Sequence, residues 1–363
     1  PVSGAHRQLW LAESGSASNI GVITINSFSL QVQFVGPAPG GATQTTIMDY
    51  STAATKAELT TNRFDSPAKL TFTVLEKNGI SIPEGSSVEL AVDGVKMFKG
   101  YVFTAEQNRD GEVEYTAYDQ LRYLKANASY TFEAMTLGQI IQQIAADFDL
   151  TCGTLADTGY AFPCLIQENE SCLDKIFNAL SETIYRTGKI FVFYDNAGEL
   201  TLTEARDMYS NVLIGDGSLA TDFTYRRDIA SETYNRIKLV RPNEETGRAD
   251  TYIVEDTDTQ AKWGLLQYYD QVDENMNEAQ IDQMCQAYLQ YYNRVVQELS
   301  IDALGVPGLR AGMIVPVRIS AVDSLSVSRL LLAEKVTHSF DGDDHTMSID
   351  VKNFENLGGD LLV

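Results

Sequence analysis

From Lys69 onward, hydrophobic and polar positions alternate with a period of two over several short stretches. Leu70, Phe72 and Val74 alternate with threonines, the pattern of a half-buried strand. "NGISIPEG" reads as a turn, after which Val88, Leu90 and Val92 face one way. Asp93-Gly94 supplies two residues that tolerate positive φ, as a two-residue hairpin turn requires. Tyr101, Phe103 and Ala105 form the next alternating set, followed by a turn at Asp110-Gly111 and then Val113, Tyr115 and Ala117. Strands this short, joined by tight turns, predict a small antiparallel barrel or sandwich. Upstream, "IGVITINSFSLQVQFV" reads as one or two strands, and the Gly- and Pro-dense "GPAPGGATQ" as a mobile loop or arm.

The period changes after about Ala128. "TLGQIIQQIAADF" places Leu137, Ile140, Ile141, Ile144 and Phe148 on one helical face, with Thr136 as N-cap. "SCLDKIFNALSETIYRTG" places Leu173, Ile176, Phe177, Leu180 and Ile184 likewise and stops at Gly188. "KIFVFYDNAGELTLTEA" then reads as a hairpin across Asn-Ala-Gly. Further strands are expected in "DFTYRRD", "TYNRIKLVRP" and "ADTYIVED", with "EDTDTQ" as a polar loop. A helix follows in "NEAQIDQMCQAYLQYYNRVV", with Asn277 and Gln280 at its start. Its face of Ile281, Met284, Tyr288, Leu289, Tyr292 and Val295 is read as core packing rather than as a partner surface.

The early strand pattern returns near the C-terminus. Leu299, Ile301 and Ala303 alternate as Leu70, Phe72 and Val74 do, and Gly312 precedes Val315 as Gly85 precedes Val88. Val315, Val317 and Ile319 take the phase of Val88, Leu90 and Val92. Ala333-Glu334 echoes Ala105-Glu106, and Asp341-Gly342 leads into Met347, Ile349 and Val351. One recurrence at this spacing implies two related domains, not a solenoid. Pro316, standing where Glu89 stands, points to a sheet edge.

Composition narrows the function. With 363 residues, 44% of them apolar, the chain can build two or three cores. A net charge of −23 repels phosphate backbones, which argues against a grip on nucleic acid and for solubility. Cys152, Cys164, Cys172 and Cys285 lack the short spacing of zinc pairs and are read as free thiols in a reducing cytoplasm. No leader is read in "PVSGAHRQLWLAESGS", and "IFVFY" is too short to span a membrane, so no membrane anchor is expected. His6 falls in the N-terminal arm. His338 and His345 flank "SFDGDD", where Asp341, Asp343 and Asp344 suggest at most a weak metal site; a solvated hairpin tip is the favoured reading. No phosphate loop, zincin pair or nucleophile elbow occurs, so no catalytic, cofactor or metal residue is assigned and the chain is read as no enzyme.

Two passages carry a resemblance. "AKWGLLQYYDQV" and "EAQIDQMCQAYLQYYNRVVQELSIDALGVPGLRAGMIVPVRI" resemble the baseplate hub proteins of contractile phage tails and phage-tail-like bacteriocins, the late control protein D or XkdQ-like family. Trp263-Gly264, Leu309, Gly312, Val315 and Val317 match its signature, although Ala311 stands where the family has proline. "LTFTV" through "YTAYDQLRYL", including Gly85, Asp93 and Gly94, is similar to the family's first barrel, and the resemblance runs over roughly residues 60–355. It implies a β-rich α+β fold with two small antiparallel β-barrel domains related by internal duplication and an α+β domain between them. The expected division is 1–60, strands and arm of unknown role; 61–128, first barrel; 129–206, α+β domain; and 207–363, second barrel with a helical insertion around 277–295. By the same resemblance the chain is a homotrimer joining the tail tube protein to the spike protein among other baseplate proteins, with DNA passing through unbound. It would sit in the virion tail baseplate or bacteriocin particle, assembled in the bacterial cytoplasm. The alternatives are a tail-associated cell-wall hydrolase and a peptidoglycan-binding module built on 129–206.

Overall fold

A computed structural model describes residues 27–37, 43–75, 81–243, 248–274, 276–320 and 327–352. Its first strands are β1 (Phe28–Pro37), β2 (Thr43–Asp49), β3 (Ala54–Asn62) and β4 (Lys69–Leu75). β5 (Ser87–Val92), β6 (Val95–Gln107) and β7 (Glu112–Tyr118) follow. The inward set expected of β4, β5 and β7 is buried throughout, from Leu70 to Ala117. Asp93 (φ 50°) and Gly94 (φ 76°) turn β5 into β6 with Val92 paired to Val95.

In β6 the expected phase is wrong. Phe98 and Val102 face the core, whereas Tyr101 and Phe103 join Tyr118 and Tyr123 in an aromatic group and Ala105 is exposed. Gly100 lies between the two core residues and carries no side chain, so the inward row is invisible as alternation. The expected arm is also shorter than read. Gly36-Pro37 and Thr43-Gln44 are paired strand ends, while 38–42, 20–26 and His6 lie outside the described residues.

The middle region follows the change of period. β8 (Asn127–Thr136), α1 (Leu137–Asp147), β9 (Cys152–Leu155) and β10 (Ala161–Ser171) lead to α2 (Cys172–Thr187) and the hairpin β11 (Phe191–Asp195) and β12 (Leu200–Glu204). A capping box starts α1: Thr136 N–H donates to Gln139 Oε1 (2.8 Å), and Gln139 N–H to Thr136 Oγ1 (3.4 Å). Ser171 caps α2, and Gly188 ends it in the left-handed conformation (φ 68°). Ile140, Ile141 and Ile144 meet Leu173, Ile176 and Leu180 over Phe191, Phe193 and Leu202, each contributing on the order of 2 kcal/mol by burial. Cys172 sits in that core as a free thiol.

β13 (Ile214–Gly215) leads to β14 (Ala220–Asp228), whose second half belongs to a separate compact unit, Thr224–Leu299. It contains β15 (Arg236–Asn243), β16 (Arg248–Glu255), α3 (Thr257–Trp263), β17 (Gln267–Gln271) and α4 (Glu278–Tyr292). Ile281 and Cys285 of α4 pack on Ile237 and Leu239, with Tyr234, Tyr268, Tyr288 and Tyr292 around them, so the tyrosine face is core. "EDTDTQ" is not a loop. Asp256 accepts from the Asp258 and Thr259 N–H groups and starts α3, which buries no residue and so shows no apolar period.

The larger unit takes in residues through Phe223 and Ser300–Val351. Its last strands are β18 (Val296–Leu304), β19 (Ile314–Ile319), β20 (Val327–Leu332), β21 (Lys335–Asp341) and β22 (Asp344–Lys352). Eleven strands form one sheet, in the order β14-β18-β22-β21-β3-β4-β7-β6-β5-β1-β2, and the fold is β-rich α+β. β3 joins the halves, pairing with β4 on one side and β21 on the other.

The recurrent pattern is matched by recurrent pairing. β4 neighbours β7, β7 pairs with β6 and β6 with β5; β18 neighbours β22, β22 pairs with β21, and β20 pairs with β19. Gly85 N–H donates to the Val102 carbonyl (2.8 Å) and Val102 N–H to the Ser86 carbonyl (2.9 Å). Gly312 N–H donates to the Ala333 carbonyl (2.8 Å) and Ala333 N–H to the Met313 carbonyl (3.0 Å). Ala333 is therefore the counterpart of Val102, not of Ala105. The bulge at Phe103 in β6 corresponds to the break at Glu334 that separates β20 from β21.

Candidate functional site

Four of the signature positions, Leu309, Gly312, Val315 and Val317, lie in or just after the loop 305–313, between β18 and β19. Leu309 is buried, and its carbonyl accepts from His338 Nε2–H at 2.6 Å. That bond leaves His338 Nδ1 as an acceptor, and His345 Nε2–H donates to it at 2.9 Å. Phe340 stacks on His345 with ring centroids 4.4 Å apart. The hairpin tip from Asp341 to Asp344 is exposed, as expected, but the histidines that flank it form a buried imidazole pair: His338 is 1% exposed and His345 2%. Burial pushes their pKa values down to about 4 and about 3, and the charge of His338 further depresses that of His345. Asp341 and Asp344 pair across the outer end of the hairpin, and no metal cluster occurs among the described residues.

The next four residues tie the loop to β11, to β3 and to the end of β20. Arg310 Nη1 donates to the Asp195 carbonyl (2.8 Å), and its guanidinium lies 3.9 Å from the Tyr194 ring centroid. Ala311 N–H donates to Thr61 Oγ1 on β3 (3.0 Å). Gly312, at φ 88°, faces Val192 so closely that a Cβ would collide with it. Met313 accepts from Ala333. Val315 and Val317 continue into the core of β19.

Two buried carboxylates surround Arg310. Asp119 accepts from the Ala68 and Leu121 N–H groups, and Asp195 from Gln120 and Gly198. Burial raises both carboxyl pKa values and lowers that of Arg310, whose attraction to the two acids opposes the shifts. Nearby, Arg63 makes a bidentate pair with Glu334 at 2.7 and 2.9 Å, across the junction of β3 and β21. These groups bind backbone and one another, an arrangement that holds elements together. Sequence reasoning missed Arg310, Asp119, Asp195, Arg63 and Glu334, because their partners are distant in the chain.

Trp263 and Gly264 lie in the smaller unit. Gly264 (φ 81°) ends α3, and its carbonyl accepts from Asn235 Nδ2 at 2.8 Å. A recess of about 290 Å³ in this unit is lined by Asp256, Gln286, Leu289, Gln290 and Asn293. Gly85, Asp93 and Gly94 set the ends of β5 in the other half of the sheet.

The family described as YQBQ-like matches residues 57–352, from within β3 to the last residue of β22. The chain belongs to the YqbQ-like family. Its relatives include the uncharacterized protein YqbQ of Bacillus subtilis (strain 168), 30% identical over 296 residues covering 80% of this chain and 89% of that one. The XkdQ protein of the phage-like element PBSX, from the same organism, is 31% identical over 306 residues, 82% of this chain and 92% of that one. The resemblance to XkdQ-like proteins read from the sequence is thereby shown. The fold is also that of the prophage MuSo2 43 kDa tail protein from Shewanella oneidensis, with a TM-score of 0.63 at 15% identity over 89% of this chain and 98% of that one. β1 and β2 precede the stretch that this YqbQ-like family matches.

Proposed function

We propose that the chain is a structural baseplate hub, a trimeric adaptor that matches a six-fold tail tube to a three-fold spike around the DNA channel. The observation that carries this reading is the equivalence of the two β modules, β4–β7 and β18–β22, in pairing order and in the Gly85/Val102 and Gly312/Ala333 bond pairs. On this reading each module curls into a small barrel, and the chain divides at about residues 60, 128 and 206. Three chains then present six quasi-equivalent modules, a ring that can mate with a six-fold tube while the remaining parts keep three-fold symmetry. The net charge of −23 suits a channel wall that repels DNA rather than holding it.

The test is the copy number and symmetry of the chain in the assembled tail. Three copies are expected, with six-fold density at the tube-facing end and three-fold density beyond it. Six copies, or a ring without pseudo-six-fold density, would end the proposal. Purified chain should leave cell-wall suspensions turbid and should not sediment with peptidoglycan.

A further inference from the structure

The junction between the two modules of one chain has an unfilled counterpart. β21 pairs with β22 on one side and with β3 on the other, His338 lying opposite Leu59. In the first module the strand equivalent to β21 is the C-terminal half of β6. β5 stops pairing with it at Tyr101, and residues from Thr104 to Gln107 pair with β7 alone. All four are exposed, and among the described residues no strand lies on their other side. Such an edge, neither covered nor closed, is where another strand adds.

The strand that would fill it is also identifiable. β3 lies beside β4 and carries the junction to β21; β14 lies beside β18, the counterpart of β4, and is the terminal strand of the sheet. β14 therefore occupies the place of β3 but, among the described residues, has no second neighbour. We infer that β14 of one copy pairs with the Thr104–Gln107 edge of β6 in a second copy, repeating between chains the contact that β3 makes with β21 within one chain. The inference rests on the hub reading, and it names the surface that closes the ring. The contact is heterologous, so repetition of the intrachain geometry gives alternating first and second modules around a closed circle. Charge agrees at Arg227: it is exposed on β14, where Arg226 is already paired with Asp228 and Glu298, while the β6–β7 tip exposes Glu106, Glu112 and Glu114.

The equivalence also fixes a register. The Leu304 N–H donates to the Leu219 carbonyl; an antiparallel pairing run on from that bond without a bulge sets Thr224 opposite Leu299. Leu299 matches Leu70, whose partner Leu59 faces His338, and His338 matches Gln107. Thr224 of one chain thus faces Gln107 of the next, close enough for a cross-strand disulfide.

The experiment is oxidative cross-linking of full-length chain carrying Gln107→Cys and Thr224→Cys together, with the exposed Cys164 changed to Ser. It is run on purified protein and on assembled tails. A covalent trimer from the double variant, and none from either single variant, is the expected result. Cross-linking by a single variant would make the contact isologous and overturn the inference, as would tails that contain the double variant without interchain bonds. In that last case the hub reading stands; if the chain is absent from tails, the hub reading fails and the purified protein decides the strand contact alone.

Discussion

The two modules share a pairing order and differ in how they fasten the loop that enters their second strand. In the first, the Ile82 N–H donates to Tyr115 Oη (3.1 Å), a neutral bond to a phenol inside the core. In the second, the equivalent residue is Leu309, and its carbonyl accepts from the buried His338–His345 pair. Ile349 stands where Tyr115 stands, and Arg310 where Pro83 stands, so the second loop gains a cation with partners in the middle region. A duplicated frame keeps its backbone bonds, while the side chains that fix its loops diverge with what each copy touches. The first loop closes on its own module; the second also holds β3 and the α+β region.

The sharpest way to break this comparison is at Arg310. Arg310→Met leaves Asp119 and Asp195 buried without their cation, and should cost about 3–5 kcal/mol in urea unfolding. Pro83→Ala, at the matching position, should cost about 1 kcal/mol or less. Equal losses would mean that the second loop has no added fastening role. Next in size is the glycine pair. Gly85 (φ 80°) has open space where a Cβ would go, so Gly85→Ala should cost about 1–2 kcal/mol of backbone strain alone. Gly312→Ala adds a collision with Val192 and should cost about 2–4 kcal/mol, the difference reporting the packing of module on α+β region.

What was legible in the sequence follows from range. Strand alternation outside β6, the Asp93-Gly94 turn, the Thr136 cap, the Asn277–Gln280 helix start and the Gly188 helix end are local, set by neighbours within a few positions, and are found. The module repeat was legible because it repeats a local pattern, although the bulge at Phe103 displaced the alignment of Ala333 by three residues. The site was mostly hidden. Arg310 meets Asp195, 115 residues away, and Arg63 meets Glu334, 271 residues away; no spacing rule reaches so far. The two histidines were visible as a facing pair, but their burial was not, because the acidic hairpin between them reads as solvated.

Acid should separate the modules next. In the folded chain the His338 and His345 pKa values lie at about 4 and about 3, below the 6.5 of an unfolded imidazole. Between those values the unfolded chain binds more protons, so stability is full above about pH 7 and falls as the pH drops through 6.5 toward 4. For His338 alone the loss between pH 7 and pH 5 is about 2 kcal/mol. Amide protection factors, corrected for the intrinsic pH dependence of exchange, should fall first in β21, β22 and the loop 305–313. A uniform fall in both modules would contradict the assignment of the titration to the imidazole pair.

The smallest effect tests the first module by the same logic. Tyr115→Phe removes the acceptor of the Ile82 N–H while keeping the ring that stacks on Phe72 at 5.4 Å. One buried donor left unsatisfied should cost about 1–2 kcal/mol, and that cost should not change between pH 7 and pH 5, because neither an amide nor a phenol titrates in that range. His345→Phe is the opposing measurement in the second module: it removes the donor to His338 Nδ1 and should flatten the acid response while lowering stability at neutral pH. If Tyr115→Phe instead gave a pH-dependent loss, the two loops would be fastened by one coupled network, and the contrast between a neutral and a protonatable anchor would disappear.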